Sequence, residues 1–348
     1  MFWNNRLNRQ GTDSGVFDLP CRPRRMRKSA AIRDMVREHA VLPRHLIQPL
    51  FVEEGITSKQ PVEALPGVYR YSEAELPQVA QEVWAAGIRA VLLFGVSHHK
   101  DAEGSDTWAE EGLMARMVRA VKHAVPGMVV ITDNCFCSYT THGHCGVVVG
   151  DHVDNDLTLQ NLQKQAVIAA EAGADMVAPS AMMDGQVLAI REALDETGFT
   201  DVGIMSYSSK FASSFYGPFR AAADCGLKGD RKGYQLDPAN GHAALMESLA
   251  DEEEGADILM VKPGLPYLDV LADIRRHSEL PLAVYQVSGE YAMLKAAAEA
   301  GVIDERQAVL EALTSFRRAG ADLIITYYAQ TVAPWLVEAA VAGESTHD

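Results

Sequence analysis

The segment Gly255-Ala256-Asp257-Ile258-Leu259-Met260-Val261-Lys262-Pro263-Gly264 decides the fold. A glycine ends a helical stretch, and the apolar run after it does not alternate with polar residues. Continuous runs of this kind are parallel strands covered on both faces. The same junction recurs as Gly173-Ala174-Asp175 and Gly320-Ala321-Asp322, each placing a glycine where a helix stops before a strand. Outward from these points, eight strands are expected: His45–Glu53, Ile88–Val96, Met128–Asn134, Ala174–Ser180, Val202–Ser209, Ala256–Pro263, Pro281–Ser288 and Ala321–Ala329. Between them, Ser72–Ala86, Thr107–Ala124, Leu157–Ala172, Gln186–Thr197, Gly241–Glu254 and Asp304–Ala319 carry apolar residues three and four apart, as amphipathic helices do. Strand-then-helix units repeated eight times predict an α/β protein of the (β/α)8 TIM-barrel class. The competing doubly wound open sheet lacks support, because no glycine-rich dinucleotide fingerprint follows the first strand. Residues 1–35 stand outside the repeat and read as an extended N-terminal arm, leaving 36–348 as the barrel.

Composition narrows the function. The 348 residues carry a formal net charge of -16, which argues against a nucleic-acid partner, whose phosphates need a basic surface. No apolar run reaches membrane-span length, and the basic stretch Arg22-Pro23-Arg24-Arg25-Met26-Arg27-Lys28 has no apolar core behind it, unlike a secretory signal. A cytoplasmic location is expected. The five cysteines, Cys21, Cys135, Cys137, Cys145 and Cys225, are an odd set that does not read as a disulfide scaffold.

In such a barrel the chemistry gathers at the C-terminal ends of the strands. Asp133, Ser180, Lys210, Lys262, Ser288 and the pair Tyr327-Tyr328 all fall there. A lysine closing so apolar a strand as Leu259–Lys262 loses its proton easily if it sits in a pocket, and the free amine attacks ketones. Lys210 holds the equivalent place one strand earlier, and two such amines suggest two carbonyl substrates. The stretch Asp133-Asn134-Cys135-Phe136-Cys137-Ser138-Tyr139-Thr140-Thr141-His142-Gly143-His144-Cys145 brings three thiols within reach of one soft metal. Zinc suits them, three ligands leave one position open, and His142 or His144 stands as an added ligand or a support. Arg220 and Arg231 lie in a long insertion after the fifth strand that can fold over the mouth, where they become candidate clamps for a carboxylate.

Together, Ser206–Arg220, Asp257–Gly264, Tyr285–Met293 and the cysteine loop resemble the δ-aminolevulinic acid dehydratase (porphobilinogen synthase) family. The resemblance runs from Arg22-Pro23-Arg24-Arg25 to Ile325-Thr326-Tyr327-Tyr328. It implies condensation of two molecules of 5-aminolevulinate to porphobilinogen, with loss of two waters, in tetrapyrrole (haem) biosynthesis. Lys262 then forms the imine with the substrate that becomes the propionate-bearing half, and Lys210 forms or assists the other. Ser288 and Tyr327 match positions holding the first carboxylate; Arg220, Arg231 and Gln235 match those at the second. Asp133 and Ser180 match positions at the first substrate's amino group, and Cys135, Cys137 and Cys145 match zinc ligands. Glu247 matches a magnesium position at a subunit contact, and the N-terminal arm implies a homo-octamer. Ala181 departs from the acidic residue many relatives carry there.

Two rival readings remain at this point. A class I aldolase on the same barrel needs one imine lysine and no metal. A non-catalytic zinc protein has structural thiols, yet closed zinc sites use four ligands where only three cysteines cluster.

Overall fold

The computed structural model describes residues 21–344, apart from 225 and 228. The chain divides into two units, residues 1–40 and 41–348. In the first, the basic stretch forms a 3-10 turn over Pro23–Arg27 with no buried residue. A short helix, Ala30–Met35, follows. The Ser29 side chain caps it by accepting the Ile32 amide at 3.3 Å, which satisfies one of the donors a helix start leaves free. The first twenty residues of the expected arm lie outside the described residues.

The second unit is a closed parallel barrel. Its strands are β1 (Leu46–Glu53), β2 (Ala90–Val96), β3 (Val129–Asn134), β4 (Met176–Pro179), β5 (Gly203–Lys210), β6 (Ile258–Lys262), β7 (Leu282–Gln286) and β8 (Leu323–Thr326). Each pairs with the next, and β8 returns to β1 through Leu46 opposite Ile324 and Ile47 opposite Ile325. That closure excludes the open-sheet alternative. The expected helices appear as α1 (Leu76–Ala85), α2 (Leu113–Ala124), α3 (Asn155–Glu171), α4 (Gln186–Glu196), α5 (Gly241–Glu253) and α8 (Glu305–Ala319). Three more, α6 (Leu268–His277), α7 (Ser288–Glu299) and α9 (Ala329–Glu344), join them. The expected helix from Thr107 begins only at Leu113, after a 3-10 turn over Ser105–Trp108. Gly112 caps the helix from an extended conformation, and only glycine fits there, since a Cβ would lie 2.0 Å from the Asp106 carbonyl oxygen. A small antiparallel ribbon, Gln60–Pro61 with Tyr69–Tyr71, extends the sheet beside β1. Among the described residues no helix is long and apolar enough to cross a membrane.

The recurring Gly-Ala-Asp junction has one physical job at the barrel floor. Gly173, Gly255 and Gly320 take φ of +101°, +103° and +116°, a region closed to side-chain-bearing residues. The following alanines are buried. Each aspartate carboxylate then accepts an amide from the preceding strand: Asp175 from Val130 at 2.7 Å, Asp257 from Ile204 at 2.7 Å, and Asp322 from Leu282 at 3.0 Å. The motif therefore turns the chain and pins the register of neighbouring strands. A register so fixed at the bottom decides which residues reach the mouth.

Candidate active site

At the mouth, β5 and β6 end level, with Lys210 opposite Lys262. This does not follow from simple alternation. Leu259 pairs with Ser206, yet Val261 pairs with Ser209, so β5 carries one residue more than β6 over this stretch. Ser206 points outward, donating to Asp251 of α5 at 2.6 Å. Ser209 also points outward, donating to the Ala244 carbonyl at 2.9 Å and meeting the Ser248 hydroxyl at 2.9 Å. Such a bulge re-aims the residue that follows it, and Lys210 consequently points into the barrel.

The two lysines have different surroundings. Lys262 is buried, and its Nζ lies 4.1 Å from the centre of the Tyr285 ring, 4.8 Å from Tyr207, 5.2 Å from Phe219 and 5.6 Å from Tyr216. Desolvation, reinforced by the Lys210 charge, pushes its pKa down to about 7. Near neutral pH a substantial share is therefore free amine. Lys210 donates instead to the Ser180 carbonyl at 2.5 Å. Between them and the thiols lies the Asp133 carboxyl, pushed up by burial while both ammonium groups pull it down. The Tyr207 hydroxyl stands beside that carboxyl, and burial pushes it well above the usual phenol range.

Above the lysines, the sulfur atoms of Cys135, Cys137 and Cys145 lie within 4.8 Å of one another, all buried. This spacing and softness suit one metal ion, since three thiolates about 2.3 Å from a common centre fall naturally into such a triangle. Their mutual contacts fit the same conclusion. Bonding to Cys137 and Cys145 pushes the Cys135 thiol well up, so a cation is what would let all three ionise together. The two histidines do not belong to the group. His142 pairs through Nε2 with the Ala102 carbonyl at 2.9 Å, and His144 pairs through Nδ1 with the Tyr234 hydroxyl at 3.2 Å. They brace the loop instead of completing the sulfur cluster.

The pocket is lined by Asp133, Cys135, Cys137, Ser180, Lys210, Lys262, Tyr216, Phe219, Arg220 and Arg231. The insertion after β5 thus does reach over the mouth, as a 3-10 turn at Ser214–Tyr216 and a short helix, Gly217–Ala222. Arg231 is buried, and its Nη2 donates to the Gly143 carbonyl of the cysteine loop at 3.0 Å. Burial pulls its pKa down, but its attraction to the nearby sulfurs, when these are ionised, outweighs that and holds it above the usual guanidinium range. Arg220 is exposed at the opening. Three of the substrate-binding candidates stand outside this lining. The Ser288 hydroxyl accepts the Phe219 amide at 3.0 Å and donates to the Phe215 carbonyl at 3.2 Å. The Tyr327 hydroxyl meets that of Tyr285 at 3.3 Å, one step behind Lys262. Gln235 is buried, and its amide nitrogen has no hydrogen-bond partner. Glu247 is far from the lysines in role, half-buried on α5, its carboxyl raised by burial and by Asp184 and Glu254.

Residue reasoning alone missed the aromatic cage. Tyr207 lies three residues before Lys210, where strict alternation turns it to the opposite face, and only the bulge returns both to the interior.

With that geometry in view, the comparison with known proteins is direct. The family model for delta-aminolevulinic acid dehydratase matches residues 20–335. The chain belongs to the delta-aminolevulinic acid dehydratase family. The dehydratase of Escherichia coli K12 is 58% identical over 318 residues, covering 91% of this chain and 98% of the relative. That of Synechococcus elongatus is 51% identical over 320 residues, covering 90% and 98%. Among solved structures, the dehydratase from Toxoplasma gondii ME49 bound to its product porphobilinogen superposes with a TM-score of 0.92. It is 48% identical and covers 95% of this chain and 96% of its own. The barrel fold is thus shared with a solved dehydratase at 48% identity.

Proposed function

We propose that this dehydratase joins two molecules of 5-aminolevulinate into porphobilinogen, releasing two waters. The observation that carries the reading is a desolvated lysine, Lys262, level with a second lysine beneath three clustered thiols. The aldolase alternative needs neither the second amine nor the sulfur triangle.

The Lys262 amine adds to the ketone carbon of one substrate and expels its oxygen as water, leaving an imine. The imine acidifies the adjacent carbon and makes its own carbon electrophilic, so the two substrates can bond carbon to carbon and carbon to nitrogen. Lys210 binds or assists the second ketone. Asp133 and Tyr207 sit where protons must pass between the two amines. Ser180 places its carbonyl against Lys210 and its hydroxyl near the Asp133 carboxyl. Arg220 and Arg231 supply positive charge for the carboxylate of the second substrate, with Gln235 beside them, while Ser288 and Tyr327 hold the first. Cys135, Cys137 and Cys145 would hold zinc, which when bound supplies a Lewis acid at the second substrate.

Borohydride reduction in the presence of 5-aminolevulinate, followed by peptide mapping, tests the reading. The expected adduct sits on the peptide containing Lys262, alone or with Lys210. An active, zinc-loaded enzyme that traps nothing overturns the imine route.

The same proposal covers assembly and location. Glu247 is the magnesium position, the N-terminal arm serves a homo-octamer, and the enzyme works in the cytoplasm. Sedimentation of the native chain and of Glu247→Ala, with and without magnesium, reads the first two: a native octamer that ignores both changes removes Glu247 from that role.

A further inference from the structure

A buried carboxylate outside the pocket ties the Lys262 strand to its neighbour. Glu290 lies in the first turn of α7, fully enclosed at 0% exposure. One oxygen, Oε2, accepts the Gly264 amide at 3.1 Å and the Val287 amide at 2.7 Å. The other, Oε1, accepts the Leu265 amide at 2.6 Å. Two of these donors belong to the turn that begins immediately after Lys262, and the third, Val287, is the cap residue between β7 and α7. The turn has little other freedom, because a Cβ on Gly264 would lie 2.6 Å from the Phe316 ring. The preceding residues of the same helix turn serve the opposite side of the pocket. Ser288 holds Phe215 and Phe219 through its hydroxyl. Gly289 lets the Phe215 backbone approach, since a Cβ there would meet its carbonyl oxygen at 2.6 Å.

We infer that Glu290 is a positioning residue: its carboxylate fixes the turn after Lys262 so that the amine stays centred among its aromatic rings. This rests on the imine reading above. Three converging N–H groups need an acceptor with no hydrogen of its own, and only a carboxylate meets all three. Bonds to an ionised acceptor are short and strong, and the helix start favours the negative charge. Burial raises the Glu290 pKa to about 7 while the three amides pull it down, so the carboxylate that holds the turn is the form that predominates above that value. An amide in its place would aim an N–H at another N–H. The turn would then relax, carrying the Lys262 backbone with it. Displacements of about 1 Å at a reacting group cost on the order of 10²-fold in rate.

The test compares native enzyme, Glu290→Gln and Glu290→Asp by single-turnover borohydride trapping with 5-aminolevulinate, alongside kcat, KM, zinc content and thermal midpoint. The expected result for Glu290→Gln is slower trapping on Lys262 and a kcat lowered by roughly 10²-fold. KM and zinc content stay near native, because Glu290 touches neither substrate nor sulfur. Glu290→Asp keeps the charge with a shorter reach and recovers part of the rate. Should Glu290→Gln fail to fold, Glu290→Asp decides alone: a slowed Lys262 adduct at native KM and zinc content supports the inference. Native trapping rate and native kcat in a folded variant overturn it, as does a loss shared equally by KM and zinc content. Native enzyme that traps no adduct overturns the imine reading itself, a failure visible before any variant is made.

Discussion

Lys210 and Lys262 end adjacent strands at the same level, yet one faces an acceptor and the other faces rings. The Ser180 carbonyl oxygen accepts a hydrogen bond from Lys210 at 2.5 Å. Four aromatic rings surround Lys262 and, with the neighbouring charge, bring its pKa to about 7. Identical side chains in register are thereby made chemically unequal. The lesson is that an asymmetric condensation of two identical substrates need not start from different catalysts. It can start from one residue type with two sets of neighbours.

The sharpest way to break this comparison is to remove each lysine separately. Lys262→Met should lower kcat by on the order of 10³-fold or more, the scale of losing a covalent catalyst. Lys210→Met should retain single-substrate trapping on Lys262, with its pH dependence moved upward because the Lys210 charge is gone, while abolishing product. Equal trapping defects in both variants would erase the distinction. The cysteine triangle offers a second, somewhat smaller lever. Cys135→Ala should weaken metal binding and activity together while the barrel stays folded, read by metal analysis and circular dichroism. Unchanged metal content would remove Cys135 from the ligand set. The smallest expected effect is a shift on the pH axis. Because the Lys262 pKa is lowered, its amine is protonated below about pH 7 and free above it, so activity should fall on the acid side of that value. In Tyr285→Leu, water enters beside Nζ and the pKa rises, so the acid limb should move to higher pH. A limb that stays put or moves down would show that the rings do not set the basicity of Lys262.

The barrel was legible in the sequence because parallel strands covered on both faces leave unbroken apolar runs, and all eight expected runs coincide with a strand. Boundaries shrank by one to a few residues at most ends, where hydrogen bonding gives out before the apolar pattern does, while β5 runs one residue further than expected, to Lys210. The helix α7 was hidden because it begins at Ser288, the residue read as the end of the strand before it. The short α6 follows a proline-containing turn, Leu265–Tyr267, that masks its start. The lysines and cysteines were found because their chemistry is local. The cage of Tyr207, Tyr216, Phe219 and Tyr285 was not, because it assembles from two strands and the insertion over the mouth. Gln235, matched to the second carboxylate, is buried but does not line the pocket.

The bulge in β5 makes the number of available amines a question of parity. A regular strand puts residues four apart on the same face, so without the bulge Lys210 would share the outward side of Ser206. Flattening the bulge while keeping every residue would turn Lys210 toward α5 and bring the Ser209 hydroxyl to the mouth, leaving a single-amine barrel without altering any reactive group. One local kink in a strand therefore separates a site able to hold two ketones from one able to hold a single ketone.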